Sequence, residues 1–121
     1  MRGRRFRTVS TDKATVAVVL ESLEPLDVRA RAMFGEYGLY CDDKLVALLA
    51  DDHVFVEPTA AAAGYAEQSW LAPPYPGAKD YYRVPDRRLT DSSWLREFVR
   101  HTADALPARV RKPRKSSAKR R

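Results

Sequence analysis

The sequence predicts an α+β fold: a largely antiparallel sheet of about five strands, a meander plus one later strand, with N- and C-terminal helices packed on it. Helical periodicity is strongest at the two ends of the body. Strand-like runs separated by two-residue acidic turns fill its middle. The order helix, four strands, helix, strand, helix lacks the regular alternation that parallel strands and crossover helices require. With 121 residues, 45% of them hydrophobic, the chain has the size and composition of one domain around one core.

The first helix follows from Val16, Val19, Leu20 and Leu23, which recur at i, i+3, i+4 and i+7, with Ser10 or Thr11 as N-cap and Pro25 as the stop. From Val28 the period changes to two: Val28, Ala30, Ala32 and Phe34 alternate with Arg29, Arg31 and Met33, the pattern of a half-buried strand. Gly38 to Cys41, Lys44 to Ala50 and His53 to Glu57 are three further strand-like runs, separated by Asp42-Asp43 and Asp51-Asp52. Each Asp pair suits a two-residue hairpin loop, because Asp tolerates left-handed backbone better than most residues. After Pro58, Thr59 is placed to cap a short helix through Ala60–Ala63 to about Gln68. Pro73, Pro74, Pro76 and Gly77 assign Trp70 to Lys79 to a loop, and Asp80 to Val84 is β-prone enough for the last strand. Thr90 or Asp91 caps the final helix, whose inner stripe is Trp94, Leu95, Phe98, Val99, Thr102 and Leu106 before Pro107.

Charge is segregated along the chain. Residues 1–8 carry Arg2, Arg4, Arg5 and Arg7 with no acid, and residues 107–121 carry Arg109, Arg111, Lys112, Arg114, Lys115, Lys119, Arg120 and Arg121, again with no acid. The body between holds ten basic and sixteen acidic residues, a net −6. The organisation expected is therefore a basic arm at 1–8, a domain at 9–106 and a basic tail at 107–121. Both ends are expected to be disordered in isolation, since like charges repel and bury no apolar surface. The longest near-apolar stretch, Ala14 to Leu20, is shorter than the roughly 18 to 20 residues that span a bilayer. Asp12, Lys13 and Glu21 interrupt the stretch after the early arginines, so export is not expected. The single Cys41 excludes an internal disulfide and a multi-cysteine zinc site, which fits a cytoplasmic protein.

Few residues suggest chemistry. Cys41 as a nucleophile needs a lowered pKa and a positioned base, and no motif ties it to His53 or His101; a structural thiol is the simpler reading. The two histidines and the cysteine give no metal-ligand spacing. The Asp pairs are explained by turns, whereas catalytic carboxylates converge on a substrate. Gly35 and Gly38 lack the rest of a phosphate-binding loop and suit a bend or bulge. Trp70, Tyr75, Tyr81 and Tyr82 either pack the core or line a groove beside the proline loop.

The run Ala32-Met33-Phe34-Gly35-Glu36-Tyr37-Gly38-Leu39-Tyr40, its acidic turn, Lys44, Ala47-Leu48-Leu49-Ala50 and Asp51-Asp52 resemble the TfoX/Sxy N-terminal domain family. Tyr81-Tyr82-Arg83-Val84-Pro85 and the closing amphipathic helix extend the resemblance over residues 12–106, with Asp43 standing where the family commonly has Gly. The resemblance implies a small α+β domain and a link to regulation of competence genes, where longer members act with the cyclic-AMP receptor protein. It implies no catalytic residue and no cofactor, and the longer members' helical second domain has no counterpart expected here.

The leading expectation is a non-enzymatic, TfoX-like regulatory or accessory protein. Its partners would be nucleic acid, bound non-specifically through Arg109, Arg111, Lys112, Arg114, Lys115, Lys119, Arg120 and Arg121, and a protein such as a transcription regulator or polymerase, met by the acidic body; no membrane partner is expected. A solubilising tail is the plain alternative for the charge run. The alternative for the domain is a small enzyme or ligand binder using the Gly35–Tyr40 region with Tyr81-Tyr82.

Overall fold

A computed structural model describes residues 11–33 and 36–107. Helix α1 (Lys13–Leu23) is followed by β1 (Val28–Met33), β2 (Glu36–Cys41), β3 (Lys44–Ala50) and β4 (His53–Val56), then β5 (Leu71–Ala72), β6 (Tyr81–Arg83) and α2 (Ser92–Ala105). The strands make one sheet in the order β1-β2-β3-β4-β6-β5, every neighbouring pair antiparallel. The α+β class and the meander are as the periodicity predicts, but the sheet has six strands rather than about five. The additional strand, β5, lies inside the stretch expected to be a loop and is two residues long. Pro73 follows it immediately, at the sheet edge, where a residue without an N–H is tolerated.

Both Asp pairs build the hairpins expected of them. Asp42, Asp43, Asp51 and Asp52 have φ of 53°, 64°, 52° and 61°, the left-handed backbone at both central positions that matches the twist of tightly joined strands. Asp52 does more than turn the chain. Its Oδ1 accepts from the Asp12 backbone N–H at 2.7 Å and from the Thr15 hydroxyl at 3.0 Å, while the Asp52 N–H donates to Thr11 Oγ1 at 3.3 Å. The β3–β4 turn thereby holds the first turn of α1. The N-cap of α1 is Asp12, whose side chain accepts from the Ala14 N–H at 3.0 Å. Thr11 is drawn to the turn instead, and Ser10 lies outside the described residues.

The helix expected from Thr59 to Gln68 does not form. Thr59 Oγ1 accepts from the Ala62 N–H at 3.2 Å as a cap would, but only 3-10 turns at Ala63–Tyr65 and Gln68–Trp70 follow. Of the alanines only Ala62 is buried, and a short segment without an apolar stripe gains too little packing to offset the cost of helix nucleation.

The core lies between one face of the sheet and the two helices. Across the sheet, the row Ala30, Leu39, Ala47, Val56 and Tyr82 faces Val16, Val19 and Leu23 of α1 and Leu95, Phe98, Val99 and Ala103 of α2. Full burial of each large side chain contributes about 1.5–3 kcal/mol. Buried hydroxyls are satisfied: Ser22 donates to the Leu89 carbonyl and Thr102 to the Phe98 carbonyl, both at 2.8 Å. Trp94 Nε1 donates to the Tyr65 carbonyl at 3.1 Å, and the Trp94, Phe98 and Tyr65 rings stack or tilt together over α2.

Asp52→Ala should lower unfolding stability by about 2 kcal/mol in urea titration, since it removes two hydrogen bonds to a carboxylate and a residue suited to positive φ. Asp52→Asn keeps an acceptor and the backbone preference and should lose less than half of that. Equal losses in the two variants would contradict the interlock.

Candidate functional site

All sixteen acids and the ten cations of the body fall within the described residues, so the net −6 belongs to the folded domain. The cationic positions singled out by the sequence, Arg109 to Arg121, lie outside the described residues, as do Arg2 to Arg7, Phe34 and Gly35. What the structure places is the surface from which each charged end departs. Residue 107 follows the C-terminus of α2, where Arg100 lies 3.8 Å from Asp42 and Lys44 Nζ donates to the Ala103 carbonyl at 2.9 Å.

The sheet face away from the helices carries an open concavity. Register aligns Arg31, Gly38, Leu48, Phe55 and Arg83 in one row across it. Gly38 is a paired strand residue and not a bulge; the irregularity falls next to it, between Leu39 and Tyr40. A Cβ at Gly38 would stand 3.1 Å from Leu45 Cδ1, 3.2 Å from Met33 Cε and 3.3 Å from Tyr40 Cε1, so the glycine makes room for three side chains to converge. Beside them an open groove of about 700 Å³ is lined by Arg31, Ala32, Met33, Glu36, Tyr40 and Tyr75. Burial pushes the Glu36 carboxyl above its ordinary range. Arg29 stacks over the Tyr40 ring at 5.3 Å and meets Asp43 at 3.0 Å.

The groove corrects the idea of a site joining Gly35–Tyr40 to Tyr81-Tyr82. Tyr82 points into the core and is 4% exposed, and its neighbour Tyr81 is not part of the groove lining. Trp70 packs edge-on against Trp94. Of the four aromatics considered for a groove, the loop residue Tyr75 joins it. The Gly35–Tyr40 region offered by sequence does contribute Glu36 and Tyr40 to the groove; Arg31 and Met33 were not singled out, although the period-two pattern of β1 already put Arg29 and Arg31 on the outward face.

A second concavity, about 320 Å³, is lined by His53, Ser69, Trp70, Ala72, Arg83, Val84, Pro85 and Asp86. Arg83 Nη2 lies 3.0 Å from His53 Nε2; a guanidinium only donates, so Nε2 accepts and the ring proton sits on Nδ1. Nδ1 is buried without a hydrogen-bond partner, with Asp86 Oδ1 at 3.5 Å. Ser, His and Asp share this cavity, but the nitrogen that would take a proton from a nucleophile is engaged by Arg83. His101 stacks on Tyr65 at 5.1 Å and lies 3.4 Å from Glu97. The Asp pairs sit at opposite ends of β3 and do not converge. Among the described residues, no group of three or more His, Cys, Asp or Glu side chains could hold a metal ion.

Cys41 is fully buried at the end of β2. Burial, reinforced by Asp42 and partly opposed by Arg100, pushes its thiol up to about 11. Because the folded value is raised, its contribution to stability is complete below the unfolded value near pH 9 and is lost as pH rises toward 11. The native thiol should react with a disulfide reagent at pH 8 at least about a hundredfold more slowly than the urea-unfolded chain. Cys41→Ala should flatten the fall in stability between pH 9 and 11. Rapid native labelling would contradict this environment.

Comparison with known proteins agrees with this architecture. The chain is 41% identical over 112 residues to an uncharacterized 12.7 kDa protein in the trpE 5′ region of Spirochaeta aurantia, covering 92% of this chain and 95% of that relative. Residues 19–106, which run from within α1 through α2, match the TfoX N-terminal domain. That match takes in the whole sheet and most of the core, and the chain belongs to the TfoX N-terminal domain family.

Proposed function

We propose that this is a non-enzymatic, TfoX-like regulatory or accessory protein that attaches to nucleic acid through Arg109, Arg111, Lys112, Arg114, Lys115, Lys119, Arg120 and Arg121. The observation that carries the reading is the separation of charge: a folded domain of net −6 adjoins eight cations unbroken by an acid. A −6 body repels polyphosphate, so attraction must come from the ends. Contacts of this kind are ionic and independent of base sequence, because nothing in the run offers directed base readout. Family membership supports a role in transcription or competence regulation, and the same repulsion leaves the body to meet a protein partner. The reading is of a protein working in the cytoplasm. No helix among the described residues is long and apolar enough to cross a membrane.

The test is binding of duplex DNA or RNA as a function of salt. If all eight cations meet phosphates, log K against log salt should fall with a slope of roughly −7 for the intact chain. A chain trimmed after Pro107 should keep its fold by circular dichroism and lose retention on nucleic acid at low salt. Equal retention by the trimmed chain would overturn the role of the tail.

A further inference from the structure

The first strand offers an edge that nothing described covers. β1 is at one end of the sheet order and runs for six residues, whereas the strand at the other end, β5, has two. Antiparallel ladders alternate hydrogen-bonded and non-bonded pairs, and the bond from the Asp42 N–H to the Asp27 carbonyl at 3.0 Å fixes the phase. Continuing the register, Arg29, Arg31 and Met33 bond inward to Tyr40, Gly38 and Glu36. The backbone N–H and C=O groups of Ala30 and Ala32 therefore point outward. Such a row is a template for one more strand.

Side chains decide which strand fits. Arg29 and Arg31 are exposed and stand two residues apart on the helix-free face, followed on the same face by Met33. Arg31 makes no ion pair among the described residues, and the pair between Arg29 and Asp43 is more than half exposed on both sides, so water and competing ions exchange with it readily. Pairing with a second copy centred on the middle of this edge sets like charges together. An antiparallel register centred on Ala30 puts Arg29 opposite the other copy's Arg31, one centred on Arg31 puts Arg31 opposite itself, and like charges directly opposite are destabilising. A strand with carboxylates at alternate positions reverses the sign. The groove lined by Met33 and the 47% exposed Tyr75 then takes an apolar side chain two residues before the first acid.

We propose that the free edge of β1 docks an extended acidic peptide segment of a partner protein by antiparallel strand addition, with an apolar residue against Met33 and Tyr75 and acids opposite Arg31 and Arg29. Ala30 and Ala32 supply the main-chain hydrogen bonds, and the two arginines supply selectivity. The inference deepens the protein-partner part of the proposed function and does not depend on the tail.

The probe is a fluorescent peptide containing Phe-Val-Glu-Val-Glu, with Phe-Val-Lys-Val-Lys as control, titrated against the full chain at low ionic strength. The acidic peptide should bind at least tenfold more tightly. Ala32→Pro removes an outward N–H where an edge tolerates proline, and should weaken binding at least tenfold while leaving the unfolding transition in place. The double variant Arg29→Glu with Arg31→Glu should reverse the preference in favour of the lysine peptide. Acidic-peptide binding that survives both changes belongs to the cationic tail and overturns the assignment. A concentration-dependent dimer of the intact chain that Ala32→Pro abolishes also overturns it, because the edge is then taken by a second copy. Neither result alters the salt dependence of nucleic-acid binding, so the two proposals fail separately.

Discussion

Burial of a single apolar layer governs the molecule. Among the described residues there are two α-helices, and both lie on the same side of the six-stranded sheet, covering the row from Ala30 to Tyr82. Phe98 and Leu23 are fully buried in that layer. With the helices committed to one side, the other keeps a mixed surface: Leu48 and Phe55 are buried within it, yet Arg29, Arg31 and Arg83 stand out from it. The groove lined by Arg31, Met33, Glu36 and Tyr40 lies on that side. A domain this small has little interior and places nearly every ionisable group at the surface.

The candidate chemical groups are likewise committed to structure. Cys41 is buried for packing, and burial that keeps its thiol protonated also removes it from reaction. His53 is held between Arg83 and Asp86, with its accepting nitrogen occupied. The Asp pairs are committed to turn geometry, and Asp52 additionally to the start of α1. Each of these groups has a structural task that explains its position.

Much of the fold was legible from local pattern. The stripe from Leu95 to Thr102 and the alternation from Val28 both record which face is buried, and the Asp pairs announce hairpins through a backbone preference. Misreadings arose where local propensity had no tertiary support or was overruled by it. The alanines after Thr59 favour helix but bury almost nothing, so they stop at 3-10 turns, and Leu71-Ala72 becomes a strand because β6 is there to pair with it. The groove was only half legible. Arg29 and Arg31 could be assigned a face from parity, but Tyr75 reaches Arg31 and Tyr40 from a loop distant in sequence, and contacts between His53 and Asp86 leave no periodic signal.

In the proposed function an anionic folded domain and its cationic extension divide the work between them. The most direct measurement is an amide chemical-shift titration of the intact, isotopically labelled chain with a short DNA duplex at low salt. Perturbations should concentrate beyond Leu106, with the amides of the sheet and of α1 unchanged. Perturbations centred on the sheet, with the extension unaffected, would contradict that division.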